Sequence, residues 1–261
     1  MTHNYKEGEA IINLDGKKIV VTGASSGLGS ATAIKLSQYG AQICLVGRDK
    51  RRLNDTLSSM TKRDHLLLSV DLCKFDEYGT YYEEIVSSLG KLDGLIHFAG
   101  IRKTLPLKVM KLDALKEMLD INLLSFFELV KYFVKRNTVS DTGASIIGVS
   151  SVMSFRGAAA LSGYGCSKAA LDGAIRSLAC ELASRKIRVN SIAPGYVRTS
   201  MNEKVMRTLP QEAIDKIISA HPLGVGEPED VASLVSFLLS DDARWITGST
   251  ITIDGGFSIA S

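Results

Sequence analysis

Short apolar runs alternate with segments of helical period along almost the whole chain. Several runs are continuously apolar, a pattern typical of central strands that are covered on both faces. The apolar runs predict seven strands, at 17–22, 41–47, 65–70, 92–98, 144–150, 187–193 and 249–254. The segments between them predict helices near 27–39, 50–62, 75–89, 111–136, 162–185 and 228–240. Strands separated by helices indicate an α/β fold, a doubly wound seven-stranded parallel sheet flanked by helices as an αβα sandwich.

No feature of the sequence marks a boundary between two domains. The sequence has no Pro/Ser-rich linker, repeat or low-complexity tract, so we expect a single domain over 1–261 with a polar N-terminal extension at 1–14. One long irregular stretch, 198–227, contains two short helical segments. Because long loops in compact domains usually have a function, we expect this stretch to be a substrate lid.

A glycine-rich turn, TGASSGLG, lies between the first strand and the first helix. Gly23, Gly27 and Gly29 permit a tight turn and a close approach of the backbone to a pyrophosphate at the positive N-terminus of the helix. The spacing TGxxxGxG differs from the commoner GxGxxG, and a merely tight turn is the alternative. The other loop residues expected to contact the cofactor are Ser25, Ser26 and Leu28.

The end of the second strand, LVGRDK, bears on the choice of cofactor. An acidic residue there would bind a free ribose 2′-hydroxyl, but Gly47 occupies the position and Arg48 follows it. A guanidinium suits a 2′-phosphate, which favours NADP(H). NAD(H) stays open, because Asp49 could serve the ribose in a shifted register and Arg48 could be an ordinary surface residue.

Composition narrows the classes of partner. With 31 Lys and Arg against 28 Asp and Glu, and no basic stripe interleaved with aromatic residues, no nucleic acid is expected. No apolar run approaches the roughly 18 residues of a membrane helix, so no membrane partner is expected, and the polar start carries no apolar signal region. The four cysteines show no metal-type spacing. We expect a cytoplasmic protein, without a metal, that acts on a small molecule.

The stretch LSGYGCSKAALDG places Tyr164 and Lys168 four residues apart, on one face of a helix. Such pairs are common on helix surfaces, so this spacing alone does not indicate chemistry. The motifs around the pair change that view.

Taken in order, these motifs resemble those of the short-chain dehydrogenase/reductase (SDR) family in its compact single-domain form. The resemblance covers roughly 15–257 and rests on TGASSGLG, DL at 71–72, IN at 121–122, SS at 150–151, YGCSK at 164–168, PG at 194–195 and a terminal DGG. It implies a Rossmann-type sheet, a nicotinamide cofactor and hydride transfer between the nicotinamide and a carbonyl or secondary alcohol carbon. It also implies a homotetramer or homodimer formed through helices 111–136 and 162–185.

The resemblance implies site residues as well. Ser151 lies thirteen residues before Tyr164, as the family's catalytic serine does. Asn122 is expected to kink its helix and hold a water molecule that leads to Lys168. Further cofactor contacts implied for the adenine pocket and the nicotinamide end are Asp71, Leu72, Ala99, Gly100, Pro194, Gly195, Val197 and Thr199.

Elementary chemistry supports roles for this set. Reduction of a ketone builds negative charge on its oxygen, which needs a proton and preplaced donors. The pKa of a free tyrosine is near 10, and a neighbouring ammonium lowers it by favouring the phenolate. Tyr164 is therefore expected to be the general acid or base, Ser151 to donate to the substrate oxygen, and Lys168 to tune Tyr164 and hold the cofactor ribose.

Asn122 has a signal of its own, because it falls on the apolar stripe of the predicted helix 111–136. That stripe comprises Leu112, Leu115, Leu119, Phe126, Val130 and Phe133. A buried amide without partners costs on the order of 1–3 kcal/mol, so Asn122 must be satisfied, either by nearby backbone alone or in the functional role above.

The sequence also departs from the family. HFAG at 97–100 replaces the usual NNAG. His97 is expected to be structural, bonded to neighbouring backbone, and an acid–base group is the alternative. SLAC, ending at Cys180, replaces the SLAR typical of acyl-carrier-protein reductases, which weakens that specific alternative. A catalytically silent regulatory protein and a sugar-nucleotide epimerase are further alternatives.

Substrate contacts are expected from Met153, Leu161 and Met201, in a largely apolar pocket. Arg102, Lys103 and Arg156 lie at the expected mouth. They would either meet an anionic group there or form ordinary solvated surface.

Overall fold

Seven parallel strands form one sheet in the computed structural model, which describes residues 12–207 and 209–260 apart from the side chains at 201, 204 and 205. The strands are β1 Lys18–Thr22, β2 Gln42–Gly47, β3 Leu66–Ser69, β4 Gly94–His97, β5 Ala144–Val149, β6 Ile187–Pro194 and β7 Thr250–Ile253. Their order is β3-β2-β1-β4-β5-β6-β7, and every neighbouring pair is parallel. The predicted fold class is confirmed.

Helices cover both faces of this sheet. They are α1 Gly27–Gln38, α2 Lys50–Ser58, α3 Tyr78–Leu89, α4 Leu112–Leu119, α5 Ser125–Phe133, α6 Ser162–Leu182, α7 Ser200–Met206, α8 Gln211–Ser219 and α9 Pro228–Leu239. Successive side chains of β1 point to opposite faces: Ile19 and Val21 join the core beneath α1 and α9, and Val20 joins the core beneath α3, α5 and α6. Both faces of the central strands are therefore buried, which explains their continuous apolar sequences.

The predicted helix 111–136 is not one regular helix. A π-helical segment, Asp120–Leu124, separates α4 from α5. This wider turn shifts the helical register, so Met118 is the buried residue of α4, while Leu112 is 64% exposed. The predicted stripe is therefore right in α5, where Phe126, Val130 and Phe133 are buried, and wrong at its N-terminal end.

The irregular stretch 198–227 contains α7 and α8, the two short helices that the sequence predicts. Its two ends are tied together. Val197 and Gly226 form an isolated parallel bridge, and Arg198 pairs with Glu227 at 3.1 Å. The stretch is thus an excursion that leaves and returns to the sheet at one point.

The order of the strands changes direction at β1, and this creates a potential ligand site at the carboxyl ends of β1 and β4. The chain builds β2 and β3 on one side of β1 and then returns to build β4 on its other side. The connections after β1 and after β3 therefore run to opposite sides of β1, and they leave a crevice at the carboxyl ends of these strands. Among the described residues, no helix is both long and apolar enough to cross a membrane.

Candidate active site

A cavity of about 740 Å³ opens at this crevice, and it collects nearly all of the predicted site residues. The predicted residues that line it are Gly23, Ser25, Ser26, Gly27, Leu28, Gly29, Arg48, Asp71, Leu72, Ala99, Gly100, Ser151, Met153, Leu161, Tyr164, Lys168, Pro194, Gly195, Val197 and Thr199. Asn122 is fully buried behind the wall. The side chain of Met201 lies outside the described part of the chain.

The glycine turn can be built only from glycine at two positions. Gly23 has φ of +66°, and a Cβ there would lie 2.8 Å from the amide nitrogen of Ala99. A Cβ on Gly29 would lie 2.3 Å from the carbonyl oxygen of Gly23. The helix therefore packs directly on the turn that precedes it.

The N-terminus of α1 is open to an anion. Its N-cap, Ser26, makes no side-chain capping bond, and the first turn contains no acidic residue. Amide groups at such an end have no intrahelical acceptor, and they carry the positive end of the helix dipole. The turn, the open helix end and the cavity together fit the pyrophosphate of a dinucleotide.

The end of β2 presents cations rather than a carboxylate. Arg48 and Arg52 both line the cavity beside Gly47. Asp49, the residue that could serve the ribose in another register, caps α2 instead: its Oδ1 accepts a hydrogen bond from the amide of Arg52 at 3.0 Å. Arg52 is a residue that the sequence analysis did not single out.

Tyr164, Ser151 and Lys168 converge at the other end of the cavity. The ammonium of Lys168 lies 5.8 Å from the centre of the Tyr164 ring. Burial raises the pKa of Tyr164 above its usual value, while the neighbouring Ser151 hydroxyl and the positive charge of Arg102 lower it. Ser151 Oγ accepts from the amide of Met153 at 3.2 Å, and its hydroxyl group lies beside the Tyr164 hydroxyl in the same cavity wall.

Lys168 is held by groups behind the cavity. Its ammonium donates to the carbonyl oxygen of Val149 at 2.7 Å. Burial lowers the pKa of Lys168 to about 8, and the carboxylate of Asp172, one turn further along α6, raises it. Asp172 is itself 6% exposed and accepts hydrogen bonds from Ser150 at 2.9 Å and Ser191 at 2.8 Å. Sequence reasoning missed this carboxylate, because its partners lie on two other elements.

Asn122 clamps the chain that leaves β4. Its Oδ1 accepts from the amide of Ile101 at 2.8 Å, and its Nδ2 donates to the carbonyl oxygen of Ile101 at 3.0 Å and to Ser167 Oγ at 2.9 Å. Both polar ends of the amide are therefore satisfied within the protein, at the centre of the π-helical segment. The water-holding role of Asn122 stays a prediction.

His97 belongs to a directed chain of hydrogen bonds beneath the cavity. The amide of Ala99 donates to Thr22 Oγ1 at 3.2 Å, and that hydroxyl lies 3.0 Å from His97 Nδ1. His97 Nε2 lies 3.3 Å from the carbonyl oxygen of Ile121. A neutral imidazole that accepts at Nδ1 and donates at Nε2 satisfies all of these contacts. Burial, with a smaller effect from Lys168, lowers the pKa of His97 to about 3.

This burial makes stability depend on pH. Between pH 3 and 6.5 the unfolded chain binds a proton at this position and the folded chain does not, so the free energy of unfolding rises with pH and falls on acidification. We expect the difference in unfolding free energy between pH 7 and pH 5 to be smaller by about 2 kcal/mol in His97→Asn than in the wild type. Urea unfolding at the two pH values measures this; equal differences would show that His97 is not buried as a neutral ring.

Several residues of the cavity wall gave no sequence signal. His221 Nε2 accepts from the amide of Tyr196 at 3.1 Å, and its ring stacks on Phe257 with centroids 4.6 Å apart. Tyr196, His221 and Phe257 all line the cavity. In the sequence, Tyr196 directly follows the PG motif and Phe257 directly follows the DGG motif, and these positions could have indicated both residues. His221 lies next to no motif.

Known proteins are similar to this chain over nearly its whole length. Residues 23–258 match the family model described as enoyl-(acyl carrier protein) reductase. A 3-oxoacyl-(acyl-carrier-protein) reductase FabG of Thermotoga maritima is 35% identical over 95% of this chain and 100% of its own length. A glucose 1-dehydrogenase of Gluconobacter oxydans is 33% identical over 94% of this chain and 92% of its own. A double mutant of a Serratia marcescens short-chain dehydrogenase/reductase has a TM-score of 0.86, 30% identity, and coverage of 94% of this chain and 99% of its own.

Proposed function

Since the chain belongs to the short-chain dehydrogenase/reductase family, whose members are oxidoreductases acting on alcohol and carbonyl groups, we propose that it is an NADP(H)-dependent carbonyl reductase, or an alcohol dehydrogenase in reverse. The observation that carries the proposal is the meeting of Tyr164, Ser151 and Lys168 in one cavity with the glycine turn. The bound nicotinamide would supply or accept the hydride at the substrate carbon.

The protein groups perform the proton chemistry in this proposal. Tyr164 protonates the substrate oxygen during reduction and removes that proton during oxidation. Ser151 donates a hydrogen bond to the same oxygen and stabilises its developing charge. Lys168, anchored by Val149 and kept charged by Asp172, favours the phenolate of Tyr164 and binds the ribose.

The test measures NADPH binding and NADPH oxidation separately. The purified protein is titrated with NADPH by fluorescence, and its oxidation is then followed with a panel of aliphatic, cyclic and aromatic ketones. Turnover with any member supports the reductase. Tight NADPH binding without turnover across the panel would instead favour the alternative of a catalytically silent, cofactor-binding regulatory protein.

The preference for NADP(H) is a proposal that rests on charge at the end of β2. Arg48 and Arg52 line the cavity there, Gly47 presents no carboxylate, and the carboxylate of Asp49 is engaged at the α2 cap. Two guanidinium groups suit the doubly charged 2′-phosphate that NAD(H) lacks.

We therefore expect Arg48→Asp to shift the ratio of kcat/KM for NADPH and NADH by about 10- to 100-fold towards NADH, because one charge-assisted contact becomes a repulsion. Steady-state kinetics with both cofactors measure the ratio. Arg51→Asp makes the same charge change on an exposed residue outside the cavity wall and is the matched control. An unchanged ratio in Arg48→Asp would place the 2′-phosphate elsewhere.

A second candidate is the reduction of 3-oxoacyl thioesters, which the name of the Thermotoga maritima relative favours. The SLAC sequence at Cys180 weighs against it. Comparison of acetoacetyl-coenzyme A with simple ketones separates the two: a large preference for the thioester would make the acyl-thioester reductase the better description.

The organisation and assembly of the chain are part of the proposal. We propose one domain in which 198–227 acts as the lid; the presence of Lys216, Ile217 and Ala220 in the cavity wall supports this role.

We also propose a homodimer or homotetramer that forms through α4, α5 and α6. The exposed apolar side chains Leu124 and Phe127 support this assembly. Light scattering of the purified protein tests the assembly. The four free cysteines support the cytoplasm as its compartment.

A further inference from the structure

The sequence places three basic residues at the mouth of the cavity, and the structure separates them: of the three, Arg102 alone lines the cavity. Lys103 forms an ion pair with Glu117. Arg156 donates to the carbonyl oxygen of Phe257 and lies over the Phe257 ring, with its guanidinium carbon 4.2 Å from the centroid. Arg102 lines the cavity and, within the part of the chain that the structure describes, forms neither a hydrogen bond nor an ion pair. Arg48 and Arg52 also line the cavity without a protein partner, but they lie at its β2 end; among the described residues at the Tyr164 end, Arg102 is the guanidinium without a partner.

The backbone next to Arg102 is fixed by hydrogen bonds. The residue before it, Ile101, is held at both its amide and its carbonyl by the buried side chain of Asn122. Arg102 shares the cavity wall with Tyr164 and Tyr196, and its positive charge lowers the pKa of both phenols against the rise that burial causes. Its side chain therefore begins beside a fixed backbone position and shares the cavity wall with the group that would protonate the substrate.

The charges of the cavity wall are not balanced at this end. Asp71 is the one acidic residue among the described residues of the wall, and it belongs to the predicted adenine pocket. No carboxylate of the wall faces Arg102 or Lys168 from the substrate side. A neutral ligand would leave the half-buried guanidinium without a counter-charge, whereas an anionic ligand would supply one.

We propose that Arg102 binds an anionic group of the substrate, so that the substrate is a carbonyl compound or alcohol bearing a carboxylate or a phosphate. This inference rests on the proposed reductase function and names its substrate class. The planar guanidinium donates two parallel hydrogen bonds to either anion, which fixes the orientation as well as the position of the ligand. The carbonyl is thereby presented to Tyr164, with the apolar part of the substrate against Met153 and Leu161.

The experiment compares acids with their neutral counterparts. The oxo acids 3-oxobutanoate, 4-oxopentanoate and 5-oxohexanoate move the carboxylate away from the carbonyl one carbon at a time, and their methyl esters remove the charge. Hydroxyacetone phosphate and hydroxyacetone form the phosphate arm. NADPH oxidation gives kcat and KM, and calorimetry of each acid with the NADP⁺ complex gives the affinity without any need for turnover.

We expect the wild type to bind at least one anion about 10- to 100-fold more tightly than its neutral counterpart, and Arg102→Gln to lose that difference while the ester or hydroxyacetone is unaffected. Lys103→Gln removes the adjacent charge, which is already paired, and should retain the preference. The arm with the larger preference identifies carboxylate or phosphate.

Other outcomes overturn the inference. If Arg102→Gln weakens acids and esters equally, or raises the Kd of NADPH instead, Arg102 serves general packing or the cofactor. Reduction of the neutral ketones alone, with no anion bound, refutes the anion site but preserves the reductase. If nothing is reduced while NADPH and an anion still bind in an Arg102-dependent way, the reductase is refuted and the anion site is preserved.

Discussion

Tyr164→Phe is expected to lower kcat by about 10³-fold with whichever ketone the wild type reduces, and to change the Kd of NADPH by less than about tenfold. The variant retains the half-buried ring on α6, whose centre lies 5.8 Å from the Lys168 ammonium. It removes the hydroxyl that lies beside Ser151. Without that hydroxyl the oxygen of the substrate has no protein acid in reach, whereas the cofactor contacts of the glycine turn are untouched.

Single-turnover oxidation of NADPH measures the chemical step, and fluorescence titration measures the affinity. Tyr196→Phe is the matched control, because it removes a phenol hydroxyl of the same cavity whose bond goes to the carbonyl oxygen of Asn202 at 2.9 Å. We expect that control to lose less than about tenfold in kcat. Retention of a tenth or more of the wild-type kcat in Tyr164→Phe would refute the assigned acid.

Gly29→Ala is expected to be the most damaging single methyl group in the cofactor site. Its Cβ would lie 2.3 Å from the carbonyl oxygen of Gly23 and 2.8 Å from the carbonyl carbon, and both are backbone atoms of the turn. The start of α1 and the turn must therefore separate, which opens the cradle in which the pyrophosphate would lie. We expect a loss of roughly 3 kcal/mol in the free energy of unfolding and at least tenfold weaker NADPH binding.

Urea unfolding and NADPH titration measure the two effects. Gly157→Ala is the control, since a Cβ on Gly157 meets no heavy atom within 4 Å, and we expect both quantities to match the wild type. If Gly29→Ala bound NADPH as tightly as the wild type does, the close packing of the helix on the turn would not be part of the cofactor site.

Local pattern was sufficient for the framework of this protein. The continuous apolar runs predict strands buried on both faces because burial of a parallel strand demands apolar side chains on each side, and all seven strands form. The glycine turn was readable because its residues are neighbours in the chain and its backbone conformation admits few other residues. The motif residues fall together around one cavity because the motifs lie near the carboxyl ends of the strands, which meet at one edge of a parallel sheet.

Contacts between residues distant in sequence decided the rest. In α4 the buried residue is Met118, because the π-helical segment shifts the helical register. At the centre of that segment Asn122 bonds to Ile101, 21 residues away. A helical period contains no information about such a partner. His97 was expected to be structural, but the sequence did not identify its partners Thr22 and Ile121, which lie 75 and 24 residues away. The sequence placed Arg102, Lys103 and Arg156 alike at the mouth.

The sequence by itself thus determined the strands, their alternation with helices and which residue types meet at the carboxyl ends of the strands, since periodicity and turn chemistry act over a few residues. The tertiary structure alone decided how charge is distributed there. Lys103 forms an ion pair with Glu117, and Arg156 donates to the carbonyl oxygen of Phe257, whereas Arg102 lines the cavity. Ion pairing depends on distances between separate elements, which only the packed chain defines.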